Sequence, residues 1–546
     1  MNVAEATAST LVELGVRDVF GLIGSGNFIL TNSLVRSGAR FTPARHECAA
    51  TSMADGYARV SGRVGVVTVH QGPGVTNSLT ALTEAVKARS PLLLVAADTS
   101  EGAVTSNFRI DQAGLAHSLG AAFQRVHGAD SAPEDVVRAW RMASEERRSV
   151  LLNLPLDVQA MEAPLGEVGA PAPVAPAGPA PDAIEKAADA LVAARAPVVI
   201  AGRGAVIAHA RSSIEALGER IGALLATSAN GHGLFSKSPW WAGISGGFAS
   251  PTEAKLLAEA DLVLAFGASL NMWTTRHGTL ISKSSRVVQV DVDRNAIGEQ
   301  RDVDFGVVGD AAITARSLTE ELDRRGHRSE GYRRDEVRAV LEKGRWRHVS
   351  YEDRSDERSI DPRTLTLELD AMVPRERIVA VDSGHFMGWP PMYLTVPDAA
   401  GFVFTQSFQS IGLGLSSAIG ASVARPERVT MACLGDGGAL MAAGEFETMV
   451  RLGLPLLVVV YNDAAYGAEV HHFRPQGHSV DIARYPDPDI AGLARGLGAG
   501  ATTVRGVRDL AAARRWLERR DGPFVIDAKV NPNVVAEWLE EAFRSH

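Results

Sequence analysis

Two acids carry the first chemical signal: Asp436 in Gly435-Asp436-Gly437-Gly438 and Asp463 in Asn462-Asp463-Ala464-Ala465-Tyr466-Gly467. Each follows an apolar run, Val429 to Leu434 and Leu456 to Tyr461, and such runs read as strands buried on both faces of a parallel sheet. Between them Phe446, Met449 and Val450 recur at the spacing of a buried helical stripe. Gly453 ends that helix and Pro455 prevents its continuation. The unit therefore presents both acids at strand carboxyl ends, where open α/β sheets bind ligands. Its glycines let backbone N–H groups at a helix start approach a phosphate. A carboxylate beside a phosphate is repulsive unless a cation lies between them, and oxygen-only donors point to Mg²⁺ rather than zinc.

The elements that must position further chemistry lie in the first 160 residues. A helix over Ala4 to Leu14 precedes a strand at Asp18 to Leu22 and the loop Gly24-Ser25-Gly26-Asn27. A strand near Arg40 to Arg45 runs into Arg45-His46-Glu47 and a helix through Ala49, Ala50, Met53 and Ala54. Strand Val64 to His70 ends in Gln71-Gly72-Pro73-Gly74-Val75-Thr76-Asn77, and strands follow at Leu92 to Ala96 and Val150 to Leu154. Glu47 stands at a strand-to-helix junction in apolar surroundings; read alone, a glutamate there caps the helix dipole. A carboxyl group in an apolar pocket has a raised pKa, which suits shared-proton chemistry.

The Gly-Asp-Gly turn, the Asn-Asp turn one βαβ unit later, the Arg-His-Glu junction, the Gly-Pro-Gly-x-x-Asn turn and Pro155-Leu156-Asp157 together resemble the acetolactate-synthase-like and benzoylformate-decarboxylase-like thiamine-diphosphate enzymes. The resemblance implies thiamine diphosphate and Mg²⁺ as cofactors, the metal being held by Asp436, Asp463 and the backbone carbonyl of Ala465. It places Glu47 on N1′ of the cofactor's aminopyrimidine, and the cofactor serves as electron sink when a 2-oxo acid is cleaved. Gly24, Gly26, Gly72, Pro73, Asn77, Gly384, His385, Phe386, Gly435, Gly437, Gly438, Tyr466 and Gly467 become cofactor-binding positions, and Ile411 takes the place of the apolar wedge between the cofactor rings. Gln112 matches the glutamine that many carboligases hold near the reacting carbon. His70 sits where benzoylformate-decarboxylase-like enzymes carry a proton-relay histidine, and His472, beside His471, is a candidate for the pocket or its lid. Ser269 and His472 replace an arginine and a tryptophan of acetohydroxyacid synthase, so branched-chain biosynthesis is not implied. The adjacent histidine pair of pyruvate decarboxylases is missing too. Some relatives bind FAD or ADP in the middle domain; the Gly202-Arg203-Gly204 loop lacks a third glycine, and FAD stays open. In the family the active site lies between subunits, which implies a homodimer or dimer of dimers.

At 546 residues the chain is too long for one core. The expected fold is three consecutive open parallel-sheet α/β domains: residues 1–162, a Pro/Ala-rich linker at 163–182, a middle domain at 183–325, a charged linker helix within 326–360, and a third domain at 361–546 with a C-terminal lid. A composition of 46% hydrophobic and 22% charged residues is globular. The net charge of −9 argues against a nucleic-acid or anionic-membrane partner. Cys48 and Cys433 read as separate core thiols, no apolar run approaches a membrane span, and the first residues lack a signal core, so the expected location is cytoplasmic. The reading is an enzyme that cleaves a small 2-oxo acid or 2-hydroxy ketone and protonates or ligates the acyl fragment. An FAD-containing oxidative decarboxylase and a non-catalytic nucleotide-binding scaffold are the alternatives.

Overall fold

The computed structural model describes residues 1–163, 172 and 174–542. It contains three six-stranded sheets, all of whose strand pairs are parallel. The first comprises β1 (Asp18–Gly21), β2 (Arg40–Pro43), β3 (Gly65–Val69), β4 (Leu92–Asp98), β5 (Ala122–Arg125) and β6 (Ser149–Pro155), in the order β2-β1-β3-β4-β6-β5. The second comprises β7 (Pro197–Ala201), β8 (Leu224–Thr227), β9 (Trp241–Ile244), β10 (Leu262–Phe266), β11 (Arg286–Asp291) and β12 (Phe305–Val308), ordered β12-β11-β10-β7-β8-β9. The third comprises β13 (Arg377–Val381), β14 (Phe402–Phe404), β15 (Val429–Gly435), β16 (Leu456–Asn462), β17 (Gly500–Val504) and β18 (Phe524–Lys529), ordered β14-β13-β15-β16-β18-β17. Helices cover both faces of each sheet, which is why the inner strands are apolar throughout.

The first and third sheets share one core, because the helix Glu47–Ser61 packs on the helix Gly414–Ala424 at very close range. A Cβ at Gly420 would lie 1.8 Å from the Met53 carbonyl oxygen, and one at Gly56 would lie 2.2 Å from that of Ser417. Only glycine permits that approach. At the end of the same contact Arg59 is buried against Asp55 (2.7 Å) and Glu84 (2.8 Å). It also donates to the Phe404 carbonyl at 2.8 Å, while Glu84 accepts from the Phe408 N–H at 2.6 Å. The loop after β14 is thus tied to the first sheet by a buried, paired ion group.

The stretch expected as one helix after Gly435 is two, Asp436–Met441 and Gly444–Arg451. The charged stretch 326–360 is not simply solvated. Its helix, Asp335–Lys343, turns Val337 and Leu341 onto the middle sheet's core, and Trp346 is buried in the third. The linker expected at 163–182 lies partly outside the described residues, and the helix Pro181–Ala193 begins at its end. Among the described residues no helix is long and apolar enough to cross a membrane. Cys48 and Cys433 are free thiols.

Candidate functional site

β15 and β16 are neighbours in register, Gly435 opposite Tyr461, so their two turns emerge side by side at the carboxyl edge. Asp436 opens the first helix after β15 and accepts from the Gly437 N–H at 2.9 Å. A Cβ at Gly437 would lie 2.8 Å from the Tyr466 ring, and one at Gly438 would lie 2.3 Å from Asp382 Oδ2, so neither position admits a side chain without movement. In the second turn Asn462 is buried and structural: it donates to Asp527 at 2.9 Å and accepts from the Ala464 N–H at 3.1 Å. Ala464 adopts φ 54° in the left-handed region, a conformation non-glycine residues take only when their surroundings enforce it. Here the enforcement comes from residues 483–485: Tyr466 N–H donates to the Ala483 carbonyl at 2.8 Å and Tyr485 N–H to that of Ala464 at 3.2 Å.

Burial pushes the Asp436 carboxyl up to about 6. Burial, followed by the nearby Asp436, pushes Asp463 up to about 8. Asp436 Oδ2 is buried and makes no well-aligned hydrogen bond among the described residues, although the Tyr485 hydroxyl and the Ala464 and Ala465 N–H groups face the carboxyl and pull against its raised pKa. Two carboxyls held close in a dry place, one with an idle oxygen, fit a hard divalent cation, which satisfies the oxygen and removes the repulsion.

Opposite them lies the loop after β13. His385 Nε2 accepts from the Ala536 N–H at 2.9 Å, which puts the neutral ring's proton on Nδ1. Burial holds this ring down to about 3, so it stays neutral and offers an N–H donor. Phe386 stacks on Tyr461 at 5.4 Å. Asp382, fully buried, accepts from Gly412 N–H at 2.9 Å and Leu413 N–H at 3.2 Å, and thereby fixes the loop that carries Ile411. These groups enclose a cavity of about 290 Å³ lined by Asp436, Asp463, His385, Ile411, Gln406 and Trp538, among others. Gly384, Phe386, Gly435, Gly437, Gly438, Ala465, Tyr466 and Gly467 line it as well. His472 does not line it. The short helix Gly467–Phe473 turns His472 toward Gln476 (3.2 Å) and His471 toward His385 (ring centroids 4.3 Å). The two histidines therefore diverge around a helix. Their divergence also brings His471, His385 and Asp463 together, with one ligand atom from each within 4.8 Å of the others.

The second group of residues forms around β3. Glu47 opens its helix behind the His46 cap, is 8% exposed, and accepts from Asn77 Nδ2 at 3.0 Å. Asn77 rides on the helix Pro73–Lys87, which begins after Gly72 at φ 67°. His70 Nδ1 accepts from the Gly26 N–H at 3.0 Å. Burial lowers this imidazole's pKa against the opposing pull of Glu47. A Cβ at Gly24 would lie 2.8 Å from His70 Cβ and one at Gly26 would lie 1.7 Å from Gln71 Oε1, so both glycines are packing requirements of this corner. Gln112 is buried, donating to the Ala97 carbonyl at 2.8 Å and accepting from Asn153 at 2.9 Å; both ends of its amide are engaged.

No residue of 1–162 lines the Asp436 cavity. Within one chain the two groups are separate. Sequence reasoning left Asp382, Gln406 and Trp538 without a site role. Asp382 had a signal, as the first residue of the loop after the apolar strand β13 (Arg377–Val381); Gln406 and Trp538 had none.

Three family descriptions match consecutive parts of the chain: the thiamine pyrophosphate enzyme N-terminal TPP-binding domain over residues 1–119, the central domain over 184–318 and the C-terminal TPP-binding domain over 382–528. A probable 2-ketoarginine decarboxylase of Pseudomonas aeruginosa is 31% identical, over 95% of this chain and 91% of its own. A sulfoacetaldehyde acetyltransferase of Castellaniella defragrans is 29% identical over 97% and 91%. A probable acetolactate synthase large subunit of Methanococcus aeolicus is 25% identical over 98% and 92%. With two thiamine-binding domains, the central domain between them and full-length likeness to decarboxylase, transferase and synthase alike, the chain belongs to the thiamine pyrophosphate enzymes and is a carboligase or decarboxylase of that family.

Proposed function

We propose that the protein uses thiamine diphosphate and Mg²⁺ to cleave the C–C bond of a 2-oxo acid or 2-hydroxy ketone and delivers the acyl fragment to a proton or to a carbonyl acceptor. The observation that carries this reading is the pair of raised carboxyls, Asp436 and Asp463, with the idle Asp436 oxygen between two strand-end turns. Asp436, Asp463 and the Ala465 carbonyl would hold the metal, and the N–H groups of Gly437 and Gly438 with His385 Nδ1–H would meet the diphosphate. When bound, the cofactor supplies an electron sink for the bond that breaks. Glu47, oriented by Asn77, would hold or share a proton with the aminopyrimidine. His70, kept neutral by burial, is available to pass a proton at the carbonyl end of the substrate.

Glu47 and Asp436 belong to separate groups within one chain, so a second copy completes the site. Exposed apolar side chains support this: Phe28 (55%) and Phe108 (41%) on the first domain, and Met441 (63%) and Ile482 (97%) on the third. A second copy seated on these faces would cover them.

Turnover on a panel of 2-oxo acids, with both cofactors and with or without an aldehyde, tests the proposal. CO₂ with free aldehyde marks a decarboxylase, and a hydroxy ketone marks a carboligase. Glu47→Gln is expected to lower kcat by at least about 100-fold with its fold retained. A Glu47→Gln protein as active as the parent would sink the reading. A flavin band near about 450 nm in the purified protein would redirect it to the oxidative branch.

A further inference from the structure

The Asp436 cavity has a neighbour of about 270 Å³ at the carboxyl ends of the middle sheet, lined by Ser228, Ser245 and Ser269 among others. Among the described residues the two cavities share five that line both: Trp273, Met387, Gln406, Gln409 and Trp538. Three polar atoms on this shared wall are buried without a partner among the described residues, namely Gln406 Oε1, Gln406 Nε2 and Trp538 Nε1. Idle buried donors are rare and costly, and they point to a missing partner. The Trp538 indole is 6% exposed and fixed in place. A Cβ at Gly388 would lie 2.1 Å from its Cδ1, a Cβ at Gly247 would lie 3.3 Å from its Cβ, and Phe248 meets it edge-on at 6.2 Å. Its N–H therefore has one direction.

We propose that this wall is the substrate-recognition subsite, and that Trp538 and Gln406 take a neutral oxygen at the far end of the substrate's side chain. The inference rests on the thiamine reading above. An indole only donates, so the substrate must bring an acceptor, while the Gln406 amide both donates and accepts. A hydroxyl group meets both: its oxygen accepts from the indole N–H and its O–H donates to Gln406 Oε1. None of the five shared residues is charged, whereas Lys87, Arg276, His277 and Glu541 line the second cavity beyond them. Trp273 and Met387 pack against the intervening carbon chain.

The test compares 5-hydroxy-2-oxopentanoate with 2-oxopentanoate and 2-oxoglutarate in turnover. The matching 2-hydroxy acids, which lack the reacting carbonyl, are titrated into the protein by calorimetry with and without thiamine diphosphate. The hydroxyl-ended compound is expected to exceed both the alkyl and the carboxylate-ended one by about 10-fold or more in kcat/KM and in affinity. A preference for the carboxylate would assign recognition to Lys87 and Arg276 and overturn the subsite. Gln406→Met keeps the side chain's length and volume, Trp538→Phe keeps an aromatic ring of smaller size, and both remove the polar atoms. Each should erase that preference through KM, read as the ratio of the hydroxyl to the alkyl compound within the same variant. Equal binding of hydroxyl and alkyl compounds, no binding of any, or an unchanged preference in both variants overturns the subsite. Failure of the parent protein to take up thiamine diphosphate instead overturns the functional reading, and the calorimetric preference still decides this one.

Discussion

Asp382 makes no bond to any reacting group, yet its two oxygens decide where the Ile411 loop stands. Asp382→Asn replaces one acceptor with a donor facing the Gly412 or Leu413 N–H. A loss of about 1–3 kcal/mol is expected, read as a lower urea midpoint; an unchanged midpoint would show that the loop is held elsewhere. His232 carries the clearest pH dependence. Its ring lies between Phe402 (4.9 Å) and Trp241 (5.8 Å), and burial holds it down to about 4. The unfolded chain takes up this proton first on acidification, so the stability is present above the ordinary value of 6.5 and drains away as pH falls toward 4. From pH 7 to pH 5 the expected loss is about 2 kcal/mol. His232→Phe should flatten that part of the stability profile, and an equally steep profile would assign the acid sensitivity to other groups. At this scale the sequence named Glu47, Asp436 and Asp463 by type and position. It did not reveal Asp382's two backbone partners, 30 and 31 residues away.

Among the elements, the crossing of Glu47–Ser61 over Gly414–Ala424 and the adjoining Arg59 group hold two sheets in one core. Arg59→Leu leaves Asp55 and Glu84 buried without their cation, and about 3–5 kcal/mol should be lost. Removing the exposed Arg36–Glu5 pair with Arg36→Ala should change stability by no more than about 1 kcal/mol. Thermal unfolding of the two variants side by side checks this, and equal shifts would contradict it. Strands were readable from the sequence because inner parallel strands are apolar on both faces. The helix Gly467–Phe473 was not, since its seven residues fold through their surroundings and carry no apolar stripe. The one-sided burial of Asp335–Lys343 was hidden by its charged residues, which are the face it leaves in water.

For the whole molecule, three parallel sheets were legible from strand and helix spacing, whereas their mutual placement was not. Packing between domains depends on a few contacts far apart in sequence, such as Gly56 on Ser417 and Gly420 on Met53. The same placement puts Glu47 in one group of residues and Asp436 in another. Under the two-chain arrangement proposed here, every chain is a donor of half a site to its partner and a recipient of the other half. A Glu47→Gln dimer and an Asp436→Ala dimer are then both silent, each carrying the same lesion twice. Let their subunits exchange, and a hybrid dimer gathers both lesions into one site and leaves the other intact. Equal mixing should restore roughly a quarter of the parent's activity, whereas a site built within a single chain would stay silent at any ratio.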